Sequence, residues 1–405
     1  MAEFPRDWTI TRLGEVFDIG SSKRVFQSQW RTSGIPFYRA RDIVGFVKGE
    51  DAVGGLFIDP ELYEEFKRTY GVPGIDDLLV TGVGTLGKVY RVTDSHPFYF
   101  KDGNIIWLKT KGVADSRYIE QLFVSGQLDE QVFDTADGST VGTYTITSAR
   151  KTVVVLPSLP EQRRIADALG SIDKLIDNLT RRIEKKRLVK QGVMQELLTG
   201  KKRLPGFKGE WSTRTIGSMG ELFKGSGLSK DKVGLYGRHK CILYGDLFTQ
   251  YRLQVKTCFG TTDSDEGLLS RKGDVLVPGS TTTEGIDLAT AACVYEDGIR
   301  LGGDIIVIRN AYDKFDPLFL AAEISLVNRE AVADVAQGTT IVHLHPAQLS
   351  SIRYFVPDDV AEQRAIAEVL SDMDAEIAKL EAKRDKYIDI KRGVMNDLLT
   401  GKVRI

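Results

Sequence analysis

The sequence predicts two α/β (α+β) globules separated by two long antiparallel helices that form an intramolecular coiled coil, the whole being a pseudo-two-fold tandem repeat. Three observations carry this. A segment of about 41 residues occurs twice, Glu161–Lys201 and Glu362–Lys402, at a constant offset of about 201 residues, with roughly 19 identities and no gap. Both copies carry apolar residues at alternating steps of four and three, the a/d seam of a coiled coil. Weaker echoes link the stretches that precede each copy. A period of half the chain excludes a solenoid, whose repeats are far shorter.

In the first helix the seam is Ile165, Leu169, Ile172, Ile176, Leu179 and Ile183, resuming at Val193 and Leu197. In the second it is Ile366, Leu370, Met373, Ile377 and Leu380, resuming at Val394 and Leu398. Pro160 and Pro357 stand near the starts and Gly200 and Gly401 at the ends, where proline is tolerated and glycine caps. Each helix should span roughly 55–60 Å at 1.5 Å per residue. So narrow an apolar stripe needs a partner, and the other helix of the same chain is the nearest. Lys190 and Lys391 fall on matching seam positions, where they either set the register or snorkel outward.

The globules read as mixtures of short strands and helices. Ile105–Leu108 and Val153–Leu156 are apolar strand runs, and residues 118–128 and 318–327 suit short helices. Asp77-Leu-Leu-Val80 is echoed by Asp274-Val-Leu-Val277, Trp8 by Trp211, and Gly138-Ser-Thr140 by Gly338-Thr-Thr340. The expected organisation is a first globule over residues 1–156, a helical region over 157–203, a second globule over 204–356 and a second helical region over 357–405.

Composition narrows the function. The 405 residues are 42% hydrophobic and 27% charged, which is globular rather than disordered. No apolar run approaches the ~18 residues of a membrane helix, and Met1–Trp8 lacks the pattern of a secretory signal. The three cysteines, Cys241, Cys258 and Cys293, form neither a disulfide framework nor a zinc pattern, so a reducing cytoplasm is expected. Gly82-Val-Gly-Thr-Leu-Gly87 is a literal GxGxxG, but the alternating Lys88-Val-Tyr-Arg-Val92 follows it where a dinucleotide site needs a helix. His343 and His345 lack the further ligands a metal requires. No nucleophile elbow, HExxH or Walker lysine is present, nor an amino-methyltransferase motif.

The formal net charge is −1, so bulk charge announces no nucleic acid, but the charge is uneven. Residues 157–203 carry about 12 Lys/Arg against about 6 Asp/Glu. Between Ile19 and Arg41 stand Lys23, Arg24, Arg31, Arg39 and Arg41 with no acid, interleaved with Phe26, Trp30 and Tyr38. The second globule has Lys224, Lys230, Lys232, Arg238 and Lys240 with Asp231 and Tyr236. Cations position phosphates, while polar and aromatic side chains read base edges. Candidate DNA contacts are therefore Lys23, Arg24, Arg39, Arg41, Lys230, Lys232 and Arg238, with Ser139, Thr140 and Thr339 from the matching Gly/Thr loops.

Leu156-Pro-Ser-Leu-Pro-Glu-Gln-Arg-Arg-Ile165 and Val356-Pro-Asp-Asp-Val-Ala-Glu-Gln-Arg-Ala-Ile366 each lead into a heptad helix ending in Leu-Leu-Thr-Gly-Lys. In these motifs, and over its whole length, the chain resembles the specificity subunit of type I restriction–modification systems. The resemblance implies two target-recognition domains, each reading half of a split double-stranded DNA site, and helices that dock two modification (methyltransferase) subunits. It implies that this chain binds no cofactor. S-adenosylmethionine, ATP and Mg would be used by partner subunits, which include restriction/translocase subunits. The rival is a tandem coiled-coil scaffold that binds only proteins. Glu161/Glu362, Gln162/Gln363 and the Leu-Leu-Thr-Gly-Lys ends repeat outside the seam, and are expected to form the two equivalent docking surfaces.

Overall fold

The computed structural model describes residues 4–50, 55–133, 142–234, 236–310 and 313–405. They form two compact units, Met1–Thr180 with Ala382–Ile405, and Arg181–Glu381. Each unit holds one globule, the start of one long helix and the end of the other.

The first unit is built on an antiparallel sheet in the order Phe17–Gly20, Ile105–Thr110, Leu78–Thr81, Val89–Arg91. Its two central strands carry unbroken apolar runs, Leu78–Val80 and Ile105–Leu108, because both faces are covered. Leu78, Val80, Ile106 and Leu108 point into one core, which the helix Ser116–Val124 also enters. Leu79, Ile105 and Trp107 point into a second core on the opposite face. The period of two thus survives as a division between cores rather than between oil and water.

The second unit repeats this plan. Glu221–Lys224, Ile305–Arg309, Val275–Pro278 and Ala292–Val294 are successive neighbours, with Leu253–Val255 added at the edge. Val275, Val277, Ile306 and Ile308 face one core, and Leu276, Ile305 and Val307 the other. In both units a further sheet contains one parallel pair, Ile35–Tyr38 with Tyr99–Phe100 and His239–Ile242 with Arg300–Leu301.

The echoed aspartates are buried in both units, with different partners. Asp77 accepts from the Trp107 indole at 2.8 Å and from the backbone N–H groups of Thr110 and Gly74, each at 2.9 Å. Asp274 holds a bidentate pair with Arg309, at 2.9 and 2.8 Å.

The long helices span Leu159–Leu197 and Val360–Leu399. Ile165, Leu169, Leu179, Ile366, Leu370 and Ile377 are buried, while Ile172, Ile176, Met373 and Leu380 are half-buried, as a seam at a two-helix contact requires. Within the second unit the segments run antiparallel. Lys190 lies 2.5 Å from Asp374, Lys186 lies 2.7 Å from Glu376, and Arg187 pairs with Glu381. In the first unit Lys391 lies 2.6 Å from Asp173. Both seam lysines therefore reach across to an aspartate of the opposite helix, which ties them to one register. Gly200 and Gly401 close the helices at φ +69° and +71°, as expected of caps. Pro357 does not open a helix; it ends the strand Arg353–Pro357 and leaves the second helix to begin at Val360.

The repeated residues outside the seam correct one expectation: the glutamates, the glutamines and the leucines of the helix ends are buried internal fastenings rather than docking surface, while Lys201 and Lys402 of those ends are exposed. Gln162 donates its amide to the Pro157 carbonyl and accepts from the Asp115 N–H, both at 2.9 Å. Gln363 does the same with Pro357 at 2.8 Å and Asp316 at 2.9 Å. Asp115 and Asp316 cap the helices Ser116–Val124 and Pro317–Ala322, so each glutamine joins a long helix to a globule helix. Buried Glu362 receives both arms of the Arg203 fork at 2.5 Å, and buried Glu161 pairs with Arg404. The leucines of the helix ends sink into the cores, Leu197 and Leu198 in the second unit, Leu398 and Leu399 in the first. The first globule is thus completed by the last residues of the chain.

After Pro317–Ala322 the chain makes a π-helical turn, Glu323–Val327, which buries Glu323. Asn328 donates to one of its oxygens at 3.1 Å, and the other oxygen has no partner among the described residues. Burial holds its carboxyl well above the ordinary value of 4.5. The folded chain therefore keeps a proton that the unfolded chain loses, and stability falls as pH rises above about 4.5. Glu323→Gln should remove this dependence. Between pH 5 and pH 8 the variant is expected to gain more than ~1 kcal/mol on the native protein in urea unfolding. Parallel profiles would refute it.

Candidate nucleic-acid interface

In the first globule the residues after Gly20 are pinned to the central strand Ile105–Thr110 and to Tyr99–Phe100 of the parallel pair. Ser21 donates to the Ile105 carbonyl at 3.0 Å, Ser22 to that of Phe100 at 2.7 Å, and the Lys23 N–H to the Tyr99 hydroxyl at 2.8 Å. Burial pushes Tyr99 up to about 12, so it stays a neutral acceptor. From this anchored base Arg24 reaches Asp102 at 2.9 Å, and Lys23 lies over the Tyr70 ring. Arg24, Phe26, Gln27, Lys101 and Asn104 line one open groove. Lys101 directly follows Phe100, which pairs with Tyr38, and Arg39 directly follows Tyr38. Lys101 and Arg39 thus follow the carboxyl ends of two parallel strands, and Lys101 shares the groove with Arg24. Lys101 and Asn104, some 75 residues downstream, carry no signal in the local sequence.

Arg39 and Arg41 begin the helix Ala40–Val47. The Arg39 N–H donates to buried Asp42 at 2.8 Å, and its side chain is half-buried. Arg41 is exposed, 3.9 Å from Asp42. Ser139 and Thr140 lie outside the described residues.

The second globule's basic stretch looks less basic once folded. Lys232 pairs with Glu266 at 2.7 Å, Arg238 with Asp263 at 3.4 Å and Lys240 with Glu296 at 2.7 Å. The Glu296 carboxylate pushes Lys240 above its usual range. These acids come from later strands and loops, so the stretch by itself could not reveal them. Lys230 is exposed, with no acid paired to it among the described residues. Thr339 is exposed on a hairpin whose strand pairs with Ser280–Thr281, a different sheet from the one carrying Lys232 and Arg238. Surface pairs of this kind contribute only about 0–1 kcal/mol, so each cation can exchange its carboxylate for a phosphate at small cost.

The other tempting motifs find ordinary roles. Gly82–Gly87 is a loop between strands and leads into Val89–Arg91, with no helix. His343 and His345 stack on each other, and no group of acids, histidines and cysteines suits a metal among the described residues. All three cysteines are free and buried. No helix of the described residues is long and apolar enough to cross a membrane.

Comparison with known proteins bears on both globules. The profile of the type I restriction modification DNA specificity domain matches twice, over residues 5–186 and 208–389. A putative type I restriction enzyme MjaX specificity subunit of Methanocaldococcus jannaschii is 20% identical over 426 residues, covering 100% of this chain and 96% of that protein. A putative type I specificity subunit of Haemophilus influenzae, S.HindORF215P, is 29% identical over 173 residues, and the match spans 42% of each chain, less than half of that relative's length. Among solved structures, the S subunit of a type I restriction–modification system from M. genitalium superposes with a TM-score of 0.63 at 14% identity, covering 98% of this chain and 97% of that one. A chain from a study of type I R-M complex assembly and conformational transition gives 0.58 at 16% identity, covering 99% and 100%. These likenesses establish the shared fold. With two copies of the domain over most of its length, the chain belongs to the type I restriction–modification specificity family.

Proposed function

We propose that this chain is the DNA-reading subunit of a type I restriction–modification complex and recognises a bipartite, asymmetric double-stranded site. The observation that carries this is the duplicated architecture with unlike loops. The same sheets and the same glutamine fastenings recur in both units, while the groove of the first presents Arg24, Gln27 and Asn104 and the matching loop of the second Lys232, Arg238 and Tyr236. Equal frames with different reading groups suit two different half-sites. Two-fold readers set half-sites about 10–10.5 bp apart.

The chain itself supplies binding rather than chemistry, acting in the cytoplasm. Methyl transfer from S-adenosylmethionine, and any ATP- and Mg-dependent motor or nuclease step, belong to partner subunits. Two modification subunits dock on the helices. Support for equivalent docking positions comes from Val189 and Ile390, which occupy matching places in the repeat and are both exposed.

The test is to express the chain with its modification subunit and map methylated sites across a genome. A two-part motif with an unread spacer is expected. Exchanging residues 1–156 for the corresponding globule of another family member should change one half of the motif and leave the other. A continuous motif, or a change in both halves, would overturn the reading.

A further inference from the structure

Phe26 and Tyr236 are exposed aromatic rings, 61% and 93% accessible, and each lies in the connection between the edge strand of its globule and the strand that opens the parallel pair, Phe26 before the turn Gln27–Gln29 and Tyr236 between Val233–Gly234 and His239–Ile242. A single exposed aromatic is ordinary. Two in the same connection of globules that differ in most side chains, each beside the cations of its loop, need a reason. Hydrogen bonds tie the described backbone on the flanks of each ring. The Phe26 N–H donates to the Gln29 side chain at 2.9 Å, and the adjacent Val25 is buried. The Arg31 guanidinium ties the same turn to the Ser28 and Trp30 carbonyls, each at 3.0 Å. Around Tyr236, Thr261 donates to the Gly234 carbonyl at 3.0 Å and the Arg238 N–H to Asp263 at 3.1 Å. Gly237 packs so closely on Thr262 that an added Cβ would meet its backbone at 2.6 Å. Each exposed ring is thus flanked by backbone groups that have partners in neighbouring strands or turns.

Each ring also stands among cations held by carboxylates: Arg24 by Asp102 beside Phe26, and Lys232 by Glu266 and Arg238 by Asp263 beside Tyr236. Gln27 and Asn104, in the Phe26 groove, have amides suited to the adenine edge. A rigid apolar ring flanked by phosphate-seeking cations fits a base wedge: the cations hold the backbone while the ring packs on a base face and unstacks one step.

We propose that Phe26 and Tyr236 are the wedges of the first and second globule, each inserting at a base step of its own half-site. This rests on the DNA-reading function above. The assay uses the full complex with modification subunits on a duplex carrying its mapped target, with 2-aminopurine placed in one half-site at a time. Phe26→Ala should weaken target binding ~10–100-fold and abolish the fluorescence rise in the first half-site only. Tyr236→Ala should do the same for the second half-site. Because neither ring neutralises a phosphate, the salt dependence of binding should stay unchanged, whereas Arg24→Ala should lower its slope by about one ion. Phe26→Tyr and Tyr236→Phe should retain both binding and fluorescence. If both alanine variants bind and report as the native complex does, the wedges are overturned while DNA reading stands. If the native complex does not distinguish target from non-target DNA, both fall together. Since the rings are exposed, unchanged thermal unfolding of the variants separates a lost contact from a lost fold.

Discussion

Asp274→Ala is expected to cost the second unit about 3–5 kcal/mol, the largest effect of any single change considered. Asp274 is 1% exposed, and both its oxygens are taken by Arg309, which also donates to the Leu269 carbonyl at 3.0 Å and lies over the Phe223 ring. Alanine leaves a buried guanidinium uncompensated between two strands of the central sheet. Changing both partners, Asp274→Leu with Arg309→Leu, should recover most of the loss, because the desolvation of both charges disappears together. Urea unfolding of the single and double variants measures this. Equal losses in the two would show that shape rather than charge pairing dominates. The first unit solves the same position differently, with Trp107, Thr110 and Gly74 as donors to Asp77. Among the described residues the donors to Asp77 are all neutral, so Asp77→Asn there should be milder than Asp274→Asn in the second unit.

Gln162→Ala and Gln363→Ala should each cost about 2–4 kcal/mol. Each replacement leaves one part-buried N–H and one buried C=O without a partner, at about 1–3 kcal/mol apiece. The affected groups are the Asp115 N–H and the Pro157 carbonyl in one unit, and the Asp316 N–H and the Pro357 carbonyl in the other. Because the two glutamines lie in separate units, the double variant should show the sum of the single losses. Unfolding midpoints followed by circular dichroism test both claims. A change within ~0.5 kcal/mol would mean that water replaces the amide.

How much of this was legible beforehand depends on how local each cause is. Helix periodicity depends on residues three and four apart, so the seams from Ile165 to Leu179 and from Ile366 to Leu380 could be read directly. The aspartate echo at Asp77 and Asp274 located matching sheet strands because the apolar runs after it are local too. The roles of Gln162, Gln363, Glu161 and Glu362 were not legible. Their repetition was visible, but a repeated polar residue looks the same whether it faces a partner subunit or a buried carbonyl. Only the packed fold, which brings Arg203 to Glu362 and Arg404 to Glu161, separates the two.

The reading groups show the same division. Phe26, Tyr236 and the cations beside them could be named from composition, since a basic and aromatic loop is a local property. The net field of each loop could not. Asp102, Asp263, Glu266 and Glu296 reach it from other strands and loops and pair with Arg24, Arg238, Lys232 and Lys240. The sequence by itself determined the duplication, the coiled-coil helices with their glycine ends, and the absence of known catalytic motifs, because these are patterns of neighbours along the chain. The tertiary structure decided which acids meet which cations, that the repeated glutamates and glutamines are buried, and that the last residues complete the first globule. Coulomb and hydrogen-bond energies depend on distance in space, and folding sets that distance with little regard to separation along the chain.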